Sequence, residues 1–255
     1  MSSVSDFSSV GPTHPGSPSQ LGETLRKLRP AKLSSALSRR WFERQMPRTA
    51  LQPIDLADFG SEYGGWRLPA GLIDSSWTCY MVGAGGDISV DIELARDYGT
   101  TVRTFDAVDS YVQSARREAN GEPHVTVVHA AIATADGPIR MQVTHDPNSS
   151  SVSAAKLYDS GDYIELPGRT LRSLMDQLGD ERIDLLKLDI EGLEYEVLPT
   201  VDLHALGVKV FSTQLHHTVS VGRARALMAD LRRQGYVPVA CIPAVKFTFV
   251  HSDLL

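Results

Sequence analysis

Two acidic residues follow a hydrophobic run at residues 184–199, which read DLLKLDIEGLEYEVLP. Asp189 and Glu191 are two positions apart, so they point to the same side if the chain stays extended. Asp and Glu are poor strand formers, which indicates that the strand ends where carboxylates are needed. Such carboxylates can hold a hard cation through their oxygens, or they can take a proton from a hydroxyl group. Glu191 has a simpler reading as a helix-start carboxylate that the helix dipole favours.

Two histidines, His216 and His217, follow the next predicted strand at residues 209–215. The carboxyl ends of neighbouring parallel strands meet at one edge of a sheet, so we expect the carboxylates and imidazoles to converge there. A neutral imidazole, with an unperturbed pKa of about 6.5, suits proton removal near neutral pH. A single histidine is more often structural, but an adjacent pair opposite acids favours a catalytic role. The sequence therefore predicts a base at one of these two positions.

A glycine-rich turn, GAGGD at residues 83–87, ends the first apolar run of the alternating region. Glycine lets the backbone approach a ligand closely, although it can also mark only a tight turn. Asp106 ends the second predicted strand, at the place where an acidic residue binds a ribose. A nicotinamide enzyme normally has a longer G-x-G-x-x-G turn for its pyrophosphate. The carboxylate of Asp87 would repel a phosphate, which favours a cationic nucleoside such as S-adenosylmethionine.

Strands and helices alternate from about residue 79 to residue 235, a pattern typical of parallel βαβ units. The last two apolar runs, at 236–242 and 246–250, have no helix between them and predict an antiparallel hairpin that finishes the sheet. Residues 144–169 interrupt the pattern with a polar insertion. An insertion of this length is usually functional. We interpret it as a substrate-side loop with a short strand at 163–166.

The N-terminal part differs from the rest in composition. Residues 1–20 are mostly Ser, Pro and Gly and predict a flexible tail. Residues 21–62 read as a basic helical extension, since leucines recur in its first half at roughly helical spacing. We assign the remaining residues, 63–255, to the main domain. The basic helices are candidates for covering an acidic substrate or for packing between subunits of a homo-oligomer.

The composition is that of a globular protein with 42% hydrophobic and 22% charged residues in 255. A net charge of −6 argues against a general nucleic-acid binder. Two cysteines cannot form a disulfide framework, so we expect a reducing, cytoplasmic location. The N-terminus lacks the apolar segment of a signal peptide. The longest apolar stretch, at 237–245, is too short to span a membrane.

Four stretches together resemble the FkbM family of S-adenosylmethionine-dependent methyltransferases. LLKLDIEGLEYEVL is similar to the family's K-x-D-x-E-G-x-E signature, which places it on Lys187, Asp189, Glu191, Gly192 and Glu194. VGAGGDISVDIELARDYGTTVRTFDA resembles a branch with a G-x-G-x-D-I-S-F-D opening and a later F-D-P turn. TQLHH resembles that branch's E-F-H-H segment, and GRTLRSLMDQLGDERIDLLKLD follows the family's approach to its signature. The likeness covers roughly residues 63–250.

The chain departs from the family pattern at four positions. Met81 stands where members often have an acid, and Val90 replaces the usual aromatic residue. Ala107 follows Asp106 in place of proline. Gln214 stands where the branch has glutamate, which removes one potential base or metal ligand.

The resemblance implies a fold of the α/β class: a class I methyltransferase (Rossmann-like), doubly wound sheet of about seven strands with the last strand antiparallel. It implies S-adenosylmethionine as cofactor and O-methylation of a hydroxyl of a sugar, a glycan or a secondary metabolite, so the acceptor is a small molecule or an oligosaccharide. The two carboxylates themselves add Mg²⁺ as an optional second cofactor. The alternatives are a non-catalytic cofactor-binding scaffold, a nucleotide-dependent oxidoreductase and a metal-dependent hydrolase that uses Asp189, Glu191 and His216. The predicted cofactor-binding residues are Gly83, Gly85, Asp87, Asp106, Ala107 and Ala131. The predicted catalytic residues are Asp189, His216 and His217, and the predicted metal ligands are Asp189 and Glu191.

Overall fold

A computed structural model describes residues 52–143, 152–153, 163–215, 220–242 and 246–255 of the chain. The predicted tail at 1–20 and the predicted helices between residues 21 and 51 lie outside these ranges. So do His216 and His217. No helix in the described ranges is both long enough and apolar enough to cross a membrane.

The described residues form thirteen strands, five α-helices and three short 3-10 turns. The strands are β1 Ala57–Phe59, β2 Trp66–Leu68, β3 Thr78–Val82, β4 Thr101–Asp106, β5 Val125–His129, β6 Ala131–Ile132, β7 Gly137–Val143, β8 Val152–Ser153, β9 Tyr163–Arg169, β10 Leu185–Leu188, β11 Val210–Gln214, β12 Tyr236–Ile242 and β13 Lys246–His251. The helices are α1 Ser89–Tyr98, α2 Asp109–Glu118, α3 Leu171–Leu178, α4 Glu194–Val197 and α5 Val221–Arg233. The 3-10 turns are Ala70–Leu72, Leu198–Thr200 and Ser252–Leu254.

The central sheet has seven strands in the order β12-β13-β11-β10-β3-β4-β5. Strands β11, β10, β3, β4 and β5 pair in parallel, whereas β13 pairs antiparallel with both β11 and β12. This is the class I methyltransferase arrangement, which confirms the predicted fold class. The predicted hairpin is also confirmed, but β13 lies inside the sheet and β12 forms its edge.

The strands of this sheet are hydrophobic on both faces. Leu186 and Leu188 of β10 belong to one core cluster and Leu185 belongs to a second, since successive side chains of a strand point to opposite faces. All three leucines are fully buried. Burial of a leucine stabilises the fold by about 1.5–3 kcal/mol, so two covered faces account for the near-continuous apolar runs of the sequence.

Strands β1 and β2 form a small antiparallel hairpin ahead of the main sheet. Residues 57–59 were assigned to the helical extension, and the structure places a strand there instead. The reason is packing: Phe59 and Trp66 are buried in the same core cluster as Leu94 of α1. The main domain therefore begins before residue 63.

A second, four-stranded sheet follows β5, in the order β6-β9-β7-β8. The short strand predicted at 163–166 is longer, since β9 continues to Arg169 and pairs antiparallel with β7. Strand β7 was not predicted from the sequence. The residues between β7 and β9, apart from 152–153, lie outside the described ranges.

Candidate functional site

A cavity of about 480 Å³ lies at the carboxyl ends of β3, β4 and β10. Its volume is within the range of small-molecule sites. Eight of the ten residues that the sequence singled out line it, namely Gly83, Gly85, Asp87, Asp106, Ala107, Ala131, Asp189 and Glu191. The remaining two, His216 and His217, lie outside the described ranges. Residues that follow different strands meet there because the parallel strands all end at this edge.

The glycine turn after β3 is held against the turn after β10. Gly83 has a φ of 85°, and a Cβ atom at this position would lie 2.0 Å from the Asp189 carbonyl oxygen. The Lys187 Nζ donates a hydrogen bond to the Gly83 carbonyl oxygen at 2.6 Å. Only glycine allows the two backbones to come this close.

Gly85, in contrast to Gly83, has open space around the position of its missing side chain. Its φ is 57°, and no atom lies within 4 Å of where its Cβ would be. Its amide donates to Asp106 Oδ2 at 3.0 Å, while Asp106 Oδ1 accepts from the Val108 amide at 2.8 Å. The Asp106 carboxylate therefore fixes both the glycine turn and the start of α2. Each carboxylate oxygen has a further lone pair, so Asp106 fits the hydroxyls of a ribose.

Asp87 is held by two serines at the cavity wall. Its carboxylate accepts hydrogen bonds from the Ser61 hydroxyl and from the Ser89 amide and hydroxyl, the latter two at 2.9 Å and 2.6 Å. Burial raises the pKa of Asp87, but the hydrogen bonds from Ser61 and Ser89 outweigh burial and lower it. The carboxylate thus stays ionised, and its negative charge suits a cationic ligand rather than a phosphate.

The turn after β10 has an unusual backbone. Glu191 has a φ of 54° and Gly192 a φ of 98°. A non-glycine residue with positive φ is uncommon and often lies at a functional site. Glu194 is fully buried. Its two carboxylate oxygens accept from the amides of Ile190 at 2.7 Å and Gly192 at 2.8 Å. Glu194 thereby fixes the turn that carries Asp189 and Glu191 at the cavity.

The predicted metal site at Asp189 and Glu191 stays a prediction. Both residues line the cavity. Within the part of the chain that the structure describes, neither belongs to a group of three His, Cys, Asp or Glu whose ligand atoms lie close together. Two carboxylates can still hold a magnesium ion that keeps several of its waters.

Trp66 and Lys246 are among the cavity residues that sequence reasoning missed. The Lys246 Nζ lies 4.9 Å from the centroid of the Trp66 ring, and Lys246 opposes Gln214 in the β11–β13 pairing. Burial lowers the pKa of Lys246, the nearby Asp189 opposes this shift, and Lys187 adds to it. No local pattern pointed to Lys246, because the inner position of β13 was not predicted.

A buried acid, Asp91, lies in the first turn of α1. Its Oδ1 accepts a hydrogen bond from the Thr104 hydroxyl at 2.5 Å. Burial raises the pKa of Asp91 to about 7, against the opposing effects of Thr104 and Lys187. Asp91 is the last residue of the G-x-G-x-D-I-S-F-D pattern, but the sequence analysis gave it no role, because its burial depends on packing against β4.

Asp91→Asn should remove part of the pH dependence of stability. The folded protein keeps the Asp91 proton up to about pH 7, whereas the unfolded chain loses it near 3.8. The folded state therefore binds more protons between these values, and the contribution of Asp91 to stability falls as pH rises. We expect the variant to gain at least about 1 kcal/mol relative to wild type between pH 5 and pH 8, which is a Tm difference of roughly 2–4 °C. Thermal unfolding of both proteins at the two pH values measures it, and an equal pH dependence would contradict it.

Comparison with known proteins gives one family match. A sequence model described as "Methyltransferase FkbM domain" matches residues 72–238. This range contains both the glycine turn and the signature after β10. No curated protein gives a significant sequence match.

Several solved structures are similar at low identity. Precorrin-6y C5,15-methyltransferase from Geobacter metallireducens GS-15 has a TM-score of 0.39 and 15% identity, over 66% of this chain and 67% of that one. The METTL16 MTase domain has a TM-score of 0.42 and 13% identity, over 70% of this chain and 61% of that one. A mutant of MtNAS in complex with S-adenosylmethionine has a TM-score of 0.38 and 12% identity, over 71% of this chain and 56% of that one. The chain thus spans less than two thirds of the METTL16 domain and of MtNAS. TM-scores below 0.5 do not bear on activity or substrate.

Proposed function

Because the chain belongs to the methyltransferase FkbM domain family, we propose that it transfers a methyl group from S-adenosylmethionine to a hydroxyl group of a sugar, a glycan or a secondary metabolite. The cofactor is shared by the family. The hydroxyl acceptor and its chemical class are the parts that we propose.

The observation that carries this proposal is one cavity lined by two sets of polar groups. The first set is the open backbone of Gly85 with the carboxylates of Asp87 and Asp106. The second set is Asp189 and Glu191 after β10 with Lys246 at the start of β13. A cationic nucleoside fits the first set and a polar acceptor fits the second, so one cavity can hold both reactants at once.

The residues that would hold the cofactor are Gly83, Gly85, Asp87, Asp106, Ala107 and Ala131. When bound, the cofactor supplies an activated methyl group on a positively charged sulfur. Asp106 would accept hydrogen bonds from the ribose hydroxyls, and Asp87 would face the positive charge of the methionine part. Ala131, the first residue of β6, would border the adenine.

The acceptor hydroxyl must lose its proton as the methyl group is transferred. We propose that Asp189 orients this hydroxyl by accepting its hydrogen bond. His216 and His217 remain the predicted bases, and a positioned base contributes about 10²–10⁴-fold to a rate. In the described ranges, the Lys246 amine lies at the cavity wall. Burial lowers the pKa of Lys246, which raises the share of the neutral amine, the form that can accept a proton.

Asp106→Ala should weaken S-adenosylmethionine binding at least tenfold, because hydrogen bonds to a charged group contribute about 1.5–3 kcal/mol each. Calorimetric titration with S-adenosylmethionine measures this effect. Asp109→Ala is the matched control, since Asp109 is exposed at the start of α2. We expect the affinity of this variant for S-adenosylmethionine to equal that of wild type. An Asp106→Ala protein that stays folded and binds the cofactor normally would contradict the assignment.

Turnover separates the proposal from its alternatives. We expect S-adenosylhomocysteine to form when the protein is incubated with S-adenosylmethionine and a panel of sugar acceptors. Tight binding of S-adenosylhomocysteine without turnover of any acceptor would favour a cofactor-binding scaffold. Binding of a nicotinamide dinucleotide in place of S-adenosylmethionine would favour an oxidoreductase. Equal turnover after thorough chelation would remove Mg²⁺ from the reaction.

A further inference from the structure

Three potential metal ligands, His204, His251 and Asp253, lie together at the other end of the central sheet. His204 is in the loop before β11, and His251 is the last residue of β13. Because β13 runs antiparallel to β11, its last residue lies at the amino end of β11. This edge is opposite to the one that bears the cavity, and none of the three residues lines the cavity.

His251 is held firmly in place. Its amide donates to the Lys209 carbonyl oxygen at 2.9 Å, and the next amide, of Ser252, donates to the Gly235 carbonyl oxygen at 2.9 Å. The ring packs edge-on to Tyr236, with centroids 5.3 Å apart. Its Nε2 covers Gly235, where a Cβ atom would lie only 2.7 Å away. The position of the His251 ring is therefore set by the fold.

The other ring nitrogen of His251 faces a carboxylate. Nδ1 accepts a hydrogen bond from the Asp253 amide at 3.4 Å and lies 3.5 Å from Asp253 Oδ2. Nδ1 has one lone pair, so a metal ion bound there would replace this long hydrogen bond from the Asp253 amide. Asp253 Oδ2 is then near enough to be a second ligand atom. A transition-metal ion about 2.1 Å from each atom would fit a separation of this size.

His204 completes the group. Its ring stacks on that of His251, with centroids 4.6 Å apart and planes 27° apart. One potential ligand atom from each of the three residues lies within 4.8 Å of the others. A metal ion must lie near the plane of each ring that binds it, so one ring must turn out of the stack. His204 is exposed and can turn without disturbing the core.

We propose that His204, His251 and Asp253 form a site for a divalent transition metal such as Zn²⁺. Two imidazoles and one carboxylate are the donor set of such ions, whereas Mg²⁺ and Ca²⁺ prefer oxygen ligands alone. The bound ion joins the loop before β11 to the C-terminal turn at Ser252–Leu254. It stabilises the folded state because the unfolded chain does not hold the three ligands together.

Zinc binding to the untagged full-length protein tests the proposal. We expect calorimetric titration of chelator-treated protein at pH 7.5 to show a zinc site that is weakened at least tenfold in both His204→Ala and Asp253→Asn. Both residues are exposed, so the variants should keep the wild-type Tm in the presence of chelator. His124→Ala, which changes an exposed histidine before β5, is the control and should bind zinc like wild type.

Cobalt gives an independent readout of the same site. We expect Co²⁺ to produce visible absorption bands in the wild type that are lost in His204→Ala. No zinc binding, or equal zinc affinity in the wild type, His204→Ala and Asp253→Asn, would overturn the proposal. S-adenosylmethionine affinity should be the same in both variants, so this result does not depend on the proposed function.

Discussion

Gly83→Ala is expected to destabilise the protein by about 3 kcal/mol or more, which corresponds to a Tm lower by roughly 10 °C. The new Cβ would lie 2.0 Å from the Asp189 carbonyl oxygen, and Gly83 has a φ of 85°. Asp189 cannot retreat easily, because its amide donates to the Val82 carbonyl oxygen and β10 pairs with β3 directly before it. Thermal unfolding measures the loss.

Gly85→Ala is the matched comparison within the same turn. The φ of Gly85 is 57°, but no atom lies within 4 Å of its Cβ position, so only backbone strain of about 1–2 kcal/mol is added. The added methyl group would occupy open space at a residue that lines the cavity. We therefore expect Gly85→Ala to remain folded and to bind S-adenosylmethionine more weakly than the wild type. Equal Tm losses in the two variants would show that the close contact at Gly83 does not restrict the turn.

Glu194→Ala is expected to have the second large effect. Its carboxylate accepts from the amides of Ile190 and Gly192 in a fully buried position. Removing it leaves two amides without these acceptors, at a cost of about 1–3 kcal/mol for each. Since the turn also holds Asp189 and Glu191 at the cavity, we expect methyl transfer to fall together with the Tm.

Two further variants make this test specific. Glu196→Ala changes an exposed residue of the same short helix and should alter stability by less than about 0.5 kcal/mol. Glu194→Gln keeps the volume but replaces one acceptor oxygen by an amide donor, so its Tm should lie between those of Glu194→Ala and wild type. If Glu194→Ala were as stable as Glu196→Ala, the turn would not depend on this carboxylate.

The K-x-D-x-E-G-x-E signature therefore combines two tasks. Lys187 and Glu194 bind backbone atoms, the former at Gly83 and the latter at the turn after β10. Asp189 and Glu191 line the cavity. The sequence analysis gave chemical roles only to Asp189 and Glu191. The structure shows that Lys187 and Glu194 hold the neighbouring turns, and that Lys187 also lines the cavity.

Much of the fold was predictable from local patterns. The alternation of apolar runs and amphipathic stretches indicated the βαβ units, and Gly99, with a φ of 68°, ends α1 as expected of a helix-capping glycine. The β1–β2 hairpin was not predicted, because its strands have three residues each. Strands this short are too brief to show the two-residue alternation of apolar and polar side chains that identifies a strand in a sequence. They are stabilised by Phe59 and Trp66, which pack against the rest of the core.

The sequence by itself determined the alternating strands and helices of the central sheet, the family and the eight predicted residues that meet at one cavity. It could do so because strand ends and glycine turns are encoded by neighbouring residues. Only the tertiary structure decided that β13 lies between β11 and β12, and hence that Lys246 reaches the cavity. It alone brought His204 to His251 and Asp253, and buried Asp91 against Thr104. These contacts join residues far apart in the chain, and pairing between distant segments depends on packing that no local pattern records.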